Sequence, residues 1–202
     1  MQVPGARSSK RFPPTLLLAA ADTLRQLGPR RFSLTAVAET AGVSRGTVHN
    51  AFGTRDAALT ATLDHLSAAF IETMAAEVNK LATLAEQVAA AAVLISAHRR
   101  GSTAEPRTID QSALVLLLDH GGDDLVQRSV AQWIPLVRAA QRRGEIAETV
   151  DAGRAGEWIV RMLFSFELLP PMRVNLDNPR AVRRFVSDHI INGLTGGTCD
   201  SP

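Results

Sequence analysis

Apolar positions recur at helical spacing along almost the whole chain. After Pro13 and Pro14, which suit a helix start, Leu17, Ala20, Leu24 and Leu27 follow at intervals of three or four residues until Gly28-Pro29 stops the run. Ser33 is a good N-cap for a second, short helix whose inner side would be Leu34, Val37, Ala38 and Ala41. Gly42 permits a tight reversal, and Ser44 can cap a third short helix, Arg45–Phe52, closed by Gly53. Thr54 then caps a long fourth helix over about residues 55–80. Further helices are predicted over residues 81–100, 108–120, 123–144 after a Gly121-Gly122 break, 152–169 ending at Pro170-Pro171, and 179–194. Apolar–polar alternation is missing and the chain has no Tyr, so strands are not predicted. The pattern describes an all-α protein: a three-helix N-terminal unit leading into a larger helical bundle.

Composition narrows the class. A chain of 202 residues, 46% hydrophobic and 21% charged, can bury a core as an ordinary globular protein. No apolar run approaches the roughly 18 residues of a membrane span, and Arg7, Lys10 and Arg11 are not followed by a signal-type apolar segment. A cytoplasmic protein without a membrane partner is therefore expected. Cys199 stands alone, and His49, His65, His98, His120 and His189 show no ligand-type spacing, so neither a metal nor another cofactor is expected. Through residue 60 the chain carries eight Lys/Arg against three acids, a net of +5; the remainder carries fourteen against seventeen, a net of −3. A basic N-terminal third points to an anionic partner at that end.

The segment Arg45–Phe52 gives that partner a shape. On a helix, Val48, Ala51 and Phe52 turn inward, leaving Arg45, Gly46, Thr47, His49 and Asn50 on or beside a polar face without a carboxylate. Two short helices joined by a Gly-containing turn, the second with such a face, match a helix-turn-helix. The chemistry suits duplex DNA. Arg donates bidentately to guanine, Asn pairs with adenine, and Thr offers a hydroxyl or a methyl for thymine. Gly46 keeps the helix start slim, and the N–H groups at the Ser44 cap suit a phosphate.

Residues 13–65 resemble the DNA-binding segment of TetR-family transcriptional regulators. The resemblance rests on Ser33, Val37-Ala38, Ala41-Gly42-Val43-Ser44, Arg45, Gly46-Thr47, Phe52 and the run Arg55-Asp56-x-x-Leu59. It implies DNA contacts from Ser33, Thr35, Ser44, Arg45, Gly46, Thr47, His49, Asn50 and Arg55. Two positions depart from the family pattern: His49 replaces a Tyr that commonly meets a phosphate, and Thr35 replaces a frequent Arg. Asn50 reads a base or is merely solvated. Arg55 clamps a phosphate or pairs with Asp56 or Asp22. The arm, residues 1–12, touches the DNA or only solubilises the chain.

The resemblance also divides the rest. Residues 13–54 would form the DNA-binding domain, 55–195 an effector-binding and dimerisation domain, and 196–202 a disordered tail. The last two helices would pair with their copies, with Ile159, Leu163, Phe164, Val182, Phe185, Val186, His189 and Ile190 at the dimer interface. A small-molecule site inside the body is implied as well. Its candidate lining is Leu114, Leu118, Trp133, Trp158, Met162 and Phe166, with His98, Gln132, Arg161 and Ser165 as polar contacts; each has core packing as its alternative. Arg161 either pairs with Glu157 or meets an anionic ligand.

The expected function is thus a non-enzymatic repressor that binds a palindromic operator as a homodimer and is released by a small apolar effector. A DNA-binding regulator controlled by a protein partner, or by no effector, is the alternative. An all-α enzyme or ligand carrier lacks any nucleophile–base motif, phosphate loop or metal cluster in the sequence.

Overall fold

The computed structural model describes residues 12–101 and 113–191, and among these every regular element is helical. The order is α1 (Pro14–Arg31), α2 (Leu34–Ala41), α3 (Arg45–Phe52), α4 (Arg55–Val78), α5 (Leu84–Gly101), α6 (Ala113–Arg142), α7 (Ala152–Leu168) and α8 (Pro179–Phe185), followed by a π-helical turn, Val186–Ile191. The chain divides into two compact units between Leu66 and Ser67, within α4. The basic arm up to residue 11 and the tail 196–202 lie outside the described residues.

In the first unit, α1 supplies Leu16, Ala20 and Leu24, α2 Val37 and Ala38, α3 Val48 and Phe52, and α4 Ala58, Leu59 and Leu63, all buried, as is Phe32 between α1 and α2. Burying a side chain of the Leu or Phe class is worth about 1.5–3 kcal/mol, so this small core suffices to hold short helices that would not persist alone. A buried hydroxyl that bridges α1 and α2 is satisfied twice. Thr23 donates to the Ala19 carbonyl at 2.8 Å and meets the Thr40 hydroxyl at 2.9 Å. Gly28, at φ 71°, breaks α1 one residue before Pro29, where the sequence predicts its end.

In the second unit, α5, α6, α7 and α8 enclose Val88, Ala92, Trp133, Val137, Ile159, Leu163, Val182 and Val186. α6 and α7 approach closely at Gly156, where a Cβ would stand 3.4 Å from the Val130 carbonyl oxygen. Three boundaries depart from the sequence reading. α6 runs unbroken through Gly121-Gly122, because a helical Gly costs only about 1 kcal/mol against Ala and does not forbid the conformation. α5 starts at Leu84 and not at residue 81, because Thr83 and Glu86 form a reciprocal capping box: the Glu86 carboxylate accepts from Thr83 N–H, and Thr83 Oγ1 accepts from Glu86 N–H. The last α-helix gives way to the π-helical turn after Phe185, and residues 192–194 of the predicted helix are outside the described residues.

Candidate nucleic-acid interface

The local sequence builds the α2–turn–α3 unit almost by itself. Ser33 is extended and its Oγ accepts from Ala36 N–H at 3.1 Å, starting α2. At the other end Gly42 adopts φ 65°, ψ 31°, while Val43 N–H reaches back to the Ala38 carbonyl at 3.1 Å. That pattern is a Schellman closure, which needs a left-handed residue and favours Gly. Ser44 then caps α3 by accepting from Thr47 N–H at 3.1 Å. Buried Val48 and Phe52 anchor α3 inward.

The outward face is what remains. Thr35, Arg45, Gly46, Thr47, His49 and Asn50 are exposed, and α3 contains no acidic residue. Among the described residues the side chains of Arg45, His49 and Asn50 form no hydrogen bond, ion pair or ring contact. A guanidinium, an imidazole and a carboxamide therefore stand in water with their hydrogen-bonding capacity unspent. Thr47 differs: its hydroxyl lies 2.9 Å from Ser44 Oγ, so part of its capacity is used in the cap. The base of the arm is fixed to the same unit by Phe12, which stacks on Phe52 with ring centroids 5.1 Å apart.

Arg55 is placed unlike the others. Its Nε donates to the Phe32 carbonyl at 2.9 Å, Nη2 to the Pro29 carbonyl at 2.6 Å, and Nη1 to the Asp56 carboxylate at 3.0 Å. Asp56 is one of the two pairing partners expected from the sequence; the two carbonyl contacts are not legible there, because they depend on how α4 meets the end of α1.

In the second unit the apolar candidates separate by burial. Ile159, Leu163, Val182 and Val186, expected on the partner-facing side, lie inside the core of a single chain, between 0 and 2% exposed. The physical reason is that α7 and α8 use these side chains to pack on α5 and α6, leaving none of their surface for a second subunit. Phe164 and Phe185 are half-buried; Phe185 meets Phe166 edge-on and stacks on exposed His189. The Ile190 side chain lies outside the described residues. One stripe stays partly open: Trp158, Met162 and Ser165 along one side of α7 continue to Leu169, which is 58% exposed.

The candidate ligand contacts scatter. Trp133, Phe166 and Leu114 are core, whereas Leu118, Trp158, Met162 and Ser165 are half-buried. Ser165 donates to the Met162 carbonyl. Arg161 takes the first of its two expected roles, pairing with Glu157 through Nε at 2.9 Å and Nη2 at 2.6 Å on an exposed face. The His98 side chain is outside the described residues. Gln132, which is exposed, borders an open groove of about 320 Å³ with Ala68, Ile71, Glu72, Ala75 and Arg128. Only Gln132 of these is named from sequence; the i, i+4 spacing of Arg128 and Gln132 on α6 is the signal that would add its neighbour. A second recess, which shares Ile71, Ala75 and Gln132 with this groove and adds Met74, Val78, Trp133 and Leu136, holds only about 10 Å³, room for at most one water.

Among the described residues no three His, Cys, Asp or Glu side chains gather as metal ligands, and no helix is long and apolar enough to cross a membrane.

Residues 16–62, from α1 through the first third of α4, match the family described as bacterial regulatory proteins, tetR family. No curated protein matches the chain. Among solved structures, a TetR-family transcriptional regulator from Cytophaga hutchinsonii aligns with a TM-score of 0.66 at 14% identity, over 91% of this chain and 94% of that one. The TetR-family repressor AlkX of Dietzia sp. strain DQ12-45-1b, implicated in biodegradation of n-alkanes, is 24% identical, with a TM-score of 0.55 over 95% of this chain and 100% of its own. The regulator FadR of Bacillus subtilis, in complex with stearoyl-CoA, is 16% identical, with a TM-score of 0.58 over 91% of this chain and 97% of that one. At these identities the structural likeness is one of fold.

Proposed function

We propose that this chain, a TetR-family regulator, is a repressor that holds a palindromic operator as a homodimer and releases it when a small apolar effector binds the helical body. The observation that carries the reading is the α3 surface, where Arg45, His49 and Asn50 are exposed and unspent on a helix without a carboxylate. Bases and phosphates supply the acceptors those donors lack, and α3 enters the major groove with its N-terminal residues toward the base edges. The Ser44 and Ser33 caps set helix N-termini toward the backbone phosphates, with Gly46, Thr47 and Thr35 beside them.

A single helix-turn-helix buries little surface, so two copies share the site. The half-open stripe of Trp158 and Met162 on α7 and Leu169 at its end is the apolar surface offered to the second copy. For the effector, the groove on α4 and α6 combines Ala68, Ile71 and Ala75 with Glu72, Arg128 and Gln132, a lining suited to an apolar body with a polar end. AlkX is implicated in n-alkane biodegradation, and FadR is in complex with stearoyl-CoA, and both lend support to an apolar effector for this chain. Effector binding that favours a displaced α4 would alter the first turns of that helix, which belong to the reading unit.

A second reading, control by a protein partner or by no effector, is favoured by one observation: the recess beside Trp133, which shares Ile71, Ala75 and Gln132 with the groove, holds only about 10 Å³. Selection from a random duplex pool tests the main reading. The expected product is a palindrome with half-sites about one turn, roughly 34–36 Å, apart. Recovery of no preferred sequence, with affinity insensitive to salt, rejects DNA recognition.

A further inference from the structure

Arg55 opens α4 immediately after the Thr54 cap, which accepts from Ala57 N–H at 3.1 Å. Its guanidinium spans two carbonyls of the α1–α2 corner. One belongs to Pro29, next to the Gly28 break; the other belongs to Phe32, the 1%-exposed residue that ends α1 and precedes the Ser33 cap. Carbonyls at a helix C-terminus lack intrahelical partners, so a planar cation with donors on adjacent edges satisfies both in one geometry. The third edge is held by Asp56. Three of the five N–H donors are thus engaged within the reading unit, and the neighbouring carboxylate offsets the charge a phosphate would seek.

We infer that Arg55 is a positioning residue: it brackets the start of α4 to the α1–α2 corner and so fixes the angle at which α3 is presented, instead of clamping a phosphate. The inference rests on the DNA-binding reading above. Its consequence is directional, because the same bracket is the joint through which any displacement of α4 reaches the corner carrying Ser33 and α2. Lysine carries the charge but is a single point donor, unable to span Nε and Nη2 partners together. Charge and bracket are therefore separable in one substitution.

The test compares the full-length protein with Arg55→Lys and Arg55→Ala on the selected operator and on unrelated duplex, across a salt series. A bracket gives the same result for both variants: operator affinity falls about tenfold or more, on the scale of losing one base contact, with unrelated-duplex binding and the salt slope unchanged. A merely structural role would lower the melting temperature without moving the ratio of operator to unrelated-duplex affinity. The bracket is overturned if Arg55→Lys binds like the parent while Arg55→Ala loses about 0.9 of salt slope, the signature of one phosphate contact. It is equally overturned if both variants keep the parental ratio. Amide exchange gives a readout independent of DNA. Residues 28–36 should exchange faster in both variants while α7 is unaffected, and unchanged exchange there rejects the bracket even for a protein that binds no duplex. Salt-insensitive binding by the parent itself would reject the DNA reading, not the bracket.

Discussion

At Asn50 an exposed carboxamide stands one turn beyond Gly46 on α3, with Val48 and Phe52 holding the helix from behind. A carboxamide pairs with adenine N6 and N7 only if the helix places it within hydrogen-bond reach of the base edge. Otherwise it remains in water at no cost. Asn50→Ala separates these cases. As a base reader, the variant should relax preference at one position of each half-site and lose about 1–3 kcal/mol there, with the salt slope intact. A position-by-position affinity series on mutated operators measures this, and an unchanged preference profile assigns Asn50 to solvent. Thr47, its neighbour toward the cap, is a weaker candidate, since its hydroxyl already meets Ser44.

Among the elements, α5 shows how a distant side chain completes a helix start. Thr83 and Glu86 close the local capping box, and the Glu145 carboxylate, from the loop after α6, accepts from Leu84 N–H at 2.8 Å. The hydrogen bond from Arg143 holds the Glu145 carboxyl below its ordinary range, with the Leu84 N–H adding to the effect. A carboxyl whose folded pKa is depressed contributes stability above its unfolded pKa of about 4.3 and loses it as pH falls through the folded value. Glu145→Gln should therefore lower the melting temperature at neutral pH by about 2–4 °C, on the scale of a capping interaction worth roughly 1 kcal/mol. The gap to the parent should close as pH falls below about 4. Thermal unfolding at several pH values checks it, and a gap that persists in acid would mean the carboxylate charge is irrelevant. The same element marks what sequence reading reaches. Ser33, Gly42, Ser44 and Thr54 act on N–H and C=O groups within a few residues, so the helices they bound are legible from sequence. Glu145 acts across 61 positions and Arg55 across 23 and 26, and no local pattern encodes such pairings. The Thr83-x-x-Glu86 box is equally legible; the continuity of α6 through two glycines is not, because their local cost alone does not decide whether a helix continues.

For the whole molecule, the proposed homodimer requires an apolar surface that a single chain leaves uncovered. Periodicity reads α7 as apolar nearly all round and gives the last helix one broad apolar face, but cannot say which side is spent on the chain's own core. Burial divides them: Ile159, Leu163, Val182 and Val186 are consumed internally, and the Trp158–Met162–Leu169 stripe is left. These two groups make opposite demands on a substitution. A carboxylate at Ile159 would be buried without a partner and would unfold the body, revealing nothing about assembly. At Leu169, 58% exposed in the single chain, Leu169→Asp should leave the fold and melting temperature of the monomer nearly unchanged. In a dimer that seals this stripe, the same change desolvates two carboxylates across a two-fold axis. The expected outcome is a shift from dimer to monomer in light scattering at micromolar concentration. Operator affinity should fall steeply as well, because each recognition helix would then bind its half-site without the other's help. Binding to an isolated half-site, which needs only one copy, should stay as it was. A variant that remains dimeric and binds the full operator like the parent would remove this stripe from the assembly, and pairing would then have to be sought on the exposed faces of α8.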